Sequence, residues 1–402
     1  MTIAGAMKKG VTVHEAWRTY KGVTLLTPKE GTGAFLVDMQ GRVLHQWDVG
    51  YAPASGAELL PNGNLLYSGK TTGSSGIDAG AGGGIVLELD WRGRVVWEHE
   101  DLTLHHGAFR MRSGNTLVLK RTEVPESLAE EVQGGLRESG KREDQRMWAD
   151  VVHEINPRGE VVWEWVSHEH LDPTVDRICP ICRRDTWGHA NAVLELADGS
   201  VLVSFLKTNT LAIIDKRTQD IIWRWGDDEL AHQNCPSELN NGNILVFDNG
   251  FHMRGFNFGY SRVLEIDRCN GKMVWAYTGG GGSMLHFLYS ATMCSAQRLP
   301  NGNTLVCEST TGRLLEVTAD GHLVWEYLNG LPAIAMEPSR AHSCMVYAAY
   351  RYGPDYSGLV GEAAGPEQKQ FAPGAGELLR GPRRKEDDKE EAIRSRLEAL
   401  GY

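Results

Sequence analysis

Ile221-Ile222-Trp223-Arg224-Trp225 is one of six strand endings of a single kind. The others are Val43-Leu44-His45-Gln46-Trp47, Val95-Val96-Trp97-Glu98-His99, Val161-Val162-Trp163-Glu164-Trp165, Met273-Val274-Trp275-Ala276-Tyr277 and Leu323-Val324-Trp325-Glu326-Tyr327. Counted from His45 through the five tryptophans to Trp325, the ending recurs every 50 to 66 residues, which marks a radial or solenoid array of one repeated unit. Upstream of these endings lie Asn62-Gly63-Asn64, Ser113-Gly114-Asn115, Asp198-Gly199-Ser200, Asn241-Gly242-Asn243 and Asn301-Gly302-Asn303. Asn-Gly and Asp-Gly supply the positive φ angles of a tight hairpin, and alternating strand residues flank each one. From the third marker, strands are expected over 192–196, 201–205, 211–215 and 221–225. Four short antiparallel strands make a propeller blade.

The chain is therefore expected to be all-β, a six-bladed β-propeller over residues 1–352 followed by a polar linker and charged C-terminal helix over 353–402. Five blades are expected near 57–99, 107–165, 190–225, 235–277 and 295–327. The N-terminus supplies only three strands of a sixth, near 23–27, 34–38 and 43–47, and the missing inner strand is supplied late, at 343–350. This one-plus-three closure leaves no open sheet edge. The tryptophans fall on the outer strand, where large rings fill the widening gap between blades. In blade two, 125–146 predicts a short inserted helix. Ile393, Leu397 and Leu400 line one face of the C-terminal helix, a docking stripe for the body or for a second copy of the chain.

A net charge of −11 without a concentrated basic face argues against nucleic acid and against an anionic membrane surface. No apolar run approaches the roughly 18 residues of a membrane span. The first ten residues carry their lysines after the apolar residues, the wrong order for a secretory signal, so the cytoplasm is the expected compartment. Seven cysteines do not suggest a disulfide framework. Cys179-Pro180-Ile181-Cys182 lacks a second pair to complete a zinc site, and a surface loop with two thiols is the reading preferred over a metal or redox site.

The inner strand of each blade faces the central channel. With the hairpin glycine as a ruler, His189 lies ten residues before Gly199 and His232 ten before Gly242, so the two are equivalent in adjacent blades. Asn191 and Asn234 follow two residues later, on the same strand face. His106, with His105 beside it, falls level with the asparagines in blade two, and His342 precedes the inner strand of blade six. Blade five offers Tyr289, Ser290 and Thr292 instead. Histidines converging on one mouth from separate blades point to a functional site. The loop Asp248-Asn249-Gly250-Phe251-His252-Met253-Arg254 opens at the same mouth. Arg254 there, and Arg340 elsewhere, have the fork that clamps an oxyanion.

The segments His189-Ala-Asn-Ala-Val193, Asp198-Gly-Ser-Val-Leu-Val-Ser204, Ile222-Trp-Arg-Trp-Gly226, Asn243-Ile-Leu-Val-Phe-Asp-Asn-Gly250, Ser261-Arg-Val-Leu-Glu-Ile266 and Val324-Trp-Glu-Tyr327 resemble the bacterial arylsulfotransferases. These are six-bladed propellers that move a sulfuryl group between phenols without a nucleotide donor, and the resemblance spans roughly 23–350. It implies that His189, His232 and Arg254 hold the sulfuryl oxygens and stabilise developing charge. It also implies a transiently sulfated histidine after the second strand of a later blade, but Thr304-Leu-Val-Cys-Glu-Ser-Thr-Thr-Gly-Arg-Leu314 contains none.

The leading expectation is an arylsulfotransferase-like enzyme without a cofactor, acting on a small aromatic or anionic substrate. His106, His189, His232, Arg254 and His342 form its catalytic set, His342 standing in as nucleophile. Asn191, Asn234, Asn249, Tyr289 and Arg340 are the substrate contacts. One alternative is a lyase or hydrolase in which His106, His189, His232 and His342 hold a divalent transition metal. The other is a propeller that only binds a partner on its face.

Overall fold

The computed structural model describes residues 9–73, 82–136, 146–226, 228–253, 259–280, 287–331 and 344–360. Blade three shows the pattern of the whole. Ala190–Glu195, Val201–Phe205, Thr210–Ile214 and Ile221–Trp225 pair in chain order, each antiparallel to the next. Gly199, at φ +85°, makes the first hairpin at a backbone angle that a side chain would oppose. The two middle strands are buried throughout because neighbouring blades cover both faces, which is why they read as continuous apolar runs.

Five other sheets repeat this order, giving six blades. Blade two is Leu104–Arg110, Thr116–Glu123, Trp148–Ile155 and Val161–Val166, and blade four is Asn234–Glu238, Ile244–Asp248, Arg262–Ile266 and Met273–Tyr277. Blade six closes one-plus-three: Val346–Tyr352 pairs with Val23–Pro28, followed by Gly33–Val37 and Val43–Asp48.

Two additions were not legible in the repeat. Gly10–His14 adds a fifth strand outside Leu323–Leu328 of blade five, covering that edge. The expected insertion in blade two does hold a helix, Glu126–Glu131, but a strand follows it, Gly134–Leu136, which pairs in parallel with Ile178–Arg183 from the blade two to blade three connection. The C-terminal helix expected within 385–400 lies outside the described residues.

The core is divided among the blade junctions. Leu117 and Leu119 of blade two meet Val203 and Phe205 of blade three, and Leu202 and Leu211 of blade three meet Val246 and Leu264 of blade four. The other four junctions carry clusters of the same kind. The tryptophans sit between blades as expected and also make polar links. Indole N–H groups donate to hairpin carbonyls of the next blade: Trp47 to Asp90 (3.1 Å), Trp163 to Lys216 (3.1 Å), Trp225 to Gly271 (2.8 Å), Trp275 to Ala319 (2.7 Å) and Trp325 to Met39 (3.0 Å). Between blades one and two, the Arg110 guanidinium instead lies over the Trp97 ring at 5.1 Å.

At the closure, Arg351 reaches from the last strand into blade five, where it pairs with Glu316; neither side chain is exposed. Arg351 also donates to Thr24 Oγ1 (3.1 Å) and lies 4.3 Å over the Trp325 ring. Glu316→Leu alone should strand the buried guanidinium and cost about 3–5 kcal/mol in denaturant unfolding, whereas Glu316→Leu with Arg351→Met should recover much of that loss. Equal losses in both variants would show that the pair does not act as a unit.

Candidate functional site

His106, His189 and His232 share one backbone feature, with φ of +55°, +58° and +62°. The left-handed region is uncommon for residues other than glycine and costs of order 1–3 kcal/mol, so its recurrence where three blades enter their inner strands marks an imposed geometry. Each inner strand also breaks register nearby, between Val118 and Leu119 opposite the His105 end, between Ala190 and Ala192, and between Asn234 and Ser237. Such bulges re-aim side chains at the rims of β-structures.

The histidines divide into two groups. In the first, the His106 and His189 rings stand edge to face at 5.1 Å, each half-buried. His105 is buried behind them, with its Nδ1 2.8 Å from His106 Nδ1 and its Nε2 3.4 Å from Asp150 Oδ1. Burial pushes the His105 and His189 imidazoles well below their usual range, helped by the neighbouring His106. Burial likewise brings His106 down to about 4, with Arg121 and Lys70 adding their repulsion. These imidazoles are therefore neutral at neutral pH. Asp150 is pushed up to about 7 by burial, against the opposing pull of the Ala190 and His189 amides, Lys207 and Arg121.

Asp150 Oδ1 is an electrostatic neighbour of His105 Nε2 outside hydrogen-bond geometry, and the Nδ1–Nδ1 contact places one proton between His105 and His106. When His106 donates in that contact, its Nε2 lone pair is free of a proton. Lys207, buried and paired with Asp185, extends its field to His189.

In the second group, His232 faces away from these rings toward two thiols. Cys182 Sγ lies 3.2 Å from His232 Nε2 and 3.5 Å from His252 Nδ1, and Cys179 Sγ lies 3.6 Å from the same His252 nitrogen. Contrary to the expectation of a surface loop, Cys179 and Cys182 are only 5% and 6% exposed. The hydrogen bond from Cys182 brings the Cys179 thiol down to about 3, with His232 adding to the effect. One carboxylate holds both histidine loops. Buried Asp248 accepts from the Ala231 amide (2.8 Å) beside His232 and from the Gly250 amide (3.4 Å) ahead of His252, and pairs with Arg262. The cluster borders a cavity of about 400 Å³ also lined by Arg177, Asn209, Tyr260 and Arg262.

Of the four histidines of the metal alternative, His106 and His189 come together, His232 lies with the thiols and His342 is outside the described residues. Among the described residues, the metal-ligating atoms that gather within 4.8 Å belong to Cys179, Cys182, His232 and His252. The three asparagines bond to one another across the blades. Asn191 Nδ2 donates to Asn234 Oδ1 (2.8 Å), Asn234 Nδ2 to Asn249 Oδ1 (2.9 Å) and Asn249 Nδ2 to the Ser290 carbonyl (2.6 Å). They form a buried belt across blades three, four and five. Tyr289 is exposed, its amide bound to Glu308 Oε1 (2.8 Å). Arg254, Arg340 and His342 lie outside the described residues. His252, Asp150 and Lys207 were missed from sequence, and the signal for His252 was its place in the very loop that was read for Arg254.

The fold is a six-bladed propeller in which His106 meets His189 and His232 meets the two thiols where three blades enter their inner strands. Over residues 8–239, more than half its length, the chain matches the family described as arylsulfotransferase (ASST), and it belongs to that family of transferases. No curated protein matches it. A Bacteroides caccae protein of unknown function, solved at 1.35 Å, is similar at TM-score 0.52 and 13% identity, over 82% of this chain and 98% of that one. A catalytically inactive virginiamycin B lyase from Staphylococcus aureus, with quinupristin, is similar at TM-score 0.45 and 9% identity, over 82% and 94%. A functionally unknown protein from Desulfotomaculum acetoxidans gives 0.46 and 10%, over 83% and 100%. At these identities the likeness is one of fold alone.

In NMR spectra of protein with 15N-labelled histidine, the resonance lost in His106→Ala should report a neutral ring protonated at Nδ1 at pH 8, with no protonation until the pH falls toward about 4. Titration near the ordinary imidazole value would refute the neutral, network-held ring.

Proposed function

We propose that this chain transfers a sulfuryl group between small phenolic or aromatic compounds at the His106–His189 mouth. The observation that carries the reading is the 2.8 Å contact between His105 Nδ1 and His106 Nδ1, with Asp150 beside His105, which leaves Nε2 of a half-buried, neutral imidazole unprotonated when His106 donates. A neutral imidazole is the activated nucleophile that sulfuryl transfer requires. Arg121 and Lys70 near His106, and Lys207 near His189, supply the positive field that an aryl sulfate anion needs.

The chemistry then runs in two displacements. The S–O bond to the donor phenol breaks, phenolate leaves with its electron pair, and sulfur bonds to His106 Nε2. The acceptor phenol oxygen next attacks sulfur, its proton passes to neutral His189, and the S–N bond returns its electron pair to His106. His106 thus fills the role that the resemblance gives to a histidine in the 304–314 stretch.

The test is release of 4-nitrophenolate from 4-nitrophenyl sulfate with phenol as acceptor, phenyl sulfate being identified by mass spectrometry. His106→Ala should lower kcat/KM by ~10³-fold or more, and His189→Ala by about 10²-fold. Because an ionised Asp150 beside His105 would stabilise the positive charge that develops on the imidazole pair, and burial pushes its carboxyl up to about 7, wild-type kcat/KM should rise with pH through that value. Asp150→Asn should remove that limb and cost roughly 10- to 100-fold. Full activity in His106→Ala, or hydrolysis without transfer to phenol, would end the proposal.

A further inference from the structure

The thiol and imidazole cluster lies outside the transfer chemistry just proposed, and its residue types and distances suit a tetrahedral ion. Zinc binds cysteine sulfur at about 2.3 Å and histidine nitrogen at about 2.0–2.1 Å, so a tetrahedral site puts sulfur and nitrogen about 3.5 Å apart. The three sulfur–nitrogen separations here are 3.2, 3.5 and 3.6 Å. All four ligand atoms lie within 4.8 Å of one another, three of the residues are buried and His252 is partly so. Two sulfurs and two nitrogens are the donor set that selects zinc over calcium or magnesium, which take oxygen.

The ligands come from three separate pieces of chain. Cys179 and Cys182 lie on Ile178–Arg183, the strand inserted between blades two and three. His232 opens the inner strand of blade four, and His252 lies in the turn after that blade's second strand. Among the described residues, the inserted strand pairs only with the short parallel strand Gly134–Leu136. The Cys179 amide donates to the Lys207 carbonyl at 2.7 Å, which sets the thiol pair against blade three. Buried Asp248 fixes both histidine loops through the Ala231 and Gly250 backbone amides.

We propose that Cys179, Cys182, His232 and His252 bind one zinc ion, which ties the inserted strand to blade four and closes one wall of the neighbouring cavity. Four protein ligands leave no open position, so the ion is structural. His232 is then a ligand, and the role of holding the sulfuryl oxygens that the family resemblance implies for it is not available.

The test needs no sulfuryl transfer. Protein purified without chelator from zinc-supplemented cells should hold about one zinc per chain by elemental mass spectrometry. Exchange with cobalt(II) should give the strong visible bands of a tetrahedral ion and the near-ultraviolet charge transfer of bound thiolate. Cys179→Ser with Cys182→Ser, and separately His252→Gln, should lose the ion, while His106→Ala should retain it. Should the cysteine variant fail to fold, wild-type protein alone decides, since bound zinc should shield both thiols from an alkylating reagent and a chelator should expose them. A metal-free protein that takes up neither zinc nor cobalt, zinc retained by the cysteine variant, or a Cys179–Cys182 disulfide in the purified protein would each overturn the assignment.

Discussion

Everything at the channel mouth depends on how one blade is held to the next. A blade is a four-stranded sheet that cannot bury both faces alone, so its stability comes from its two neighbours. The apolar clusters supply the attraction but not an angle, because hydrophobic contact is non-directional. The indole hydrogen bonds supply direction. Trp163, Trp225 and Trp275 each donate to a hairpin carbonyl of the following blade, fixing blades two to five in sequence, while Trp325 and Trp47 do the same across the closure. With the angles fixed, the inner strands converge, and His106 and His189 from different blades meet at 5.1 Å.

The repeat was legible because its signals are local. Trp225 with its flanking isoleucines, and Gly199 with Asp198, each declare a strand end or a hairpin within a few residues. The ruler from Gly199 and Gly242 correctly made His189 and His232 equivalent, and both have left-handed backbones. It could not tell where the rings point, since equivalent backbone positions meet different neighbours. His189 faces His106, whereas His232 faces Cys182. Cys179 and Cys182 stand some 50 residues or more before the histidines, on a strand that belongs to no blade. No spacing rule announces such a set. The bonds among the asparagines were not legible for a related reason. Position on the channel-facing side of a strand was legible, but the saturation of Asn234 by Asn191 and Asn249 depends on the separation between blades.

The 304–314 stretch, which contains no histidine, is tied into the wall of the propeller. Ser309 Oγ donates to the Tyr347 carbonyl at 3.1 Å, its own carbonyl takes the Val346 amide, and the Thr310 amide donates to Ser290 Oγ at 3.0 Å. Glu308 is buried and accepts from the Tyr289 amide. These bonds join blade five to the closing strand of blade six. Hydrogen bonds made inside a low-dielectric wall hold position well. This side of the propeller is braced, and His106 and His189 meet on the side of blades two and three.

That asymmetry gives the insertion between blades two and three its meaning. Propellers vary their sites through loops at the channel mouth while the strands stay constant. Here one connection reaches two neighbours. Asp185 leaves the Ile178–Arg183 strand to pair with Lys207 beside His189, while Cys179 and Cys182 on the same strand reach His232 and His252. An ion at the thiol end would therefore hold the strand whose other end sets the charge next to His189. The link is mechanical, since a strand fixed at one end cannot shift Asp185 without breaking the Cys179 amide bond to Lys207. Fixing that strand holds the Lys207 ammonium where an anionic substrate would need it, and preorganised charge of this kind is what stabilises a transferring group.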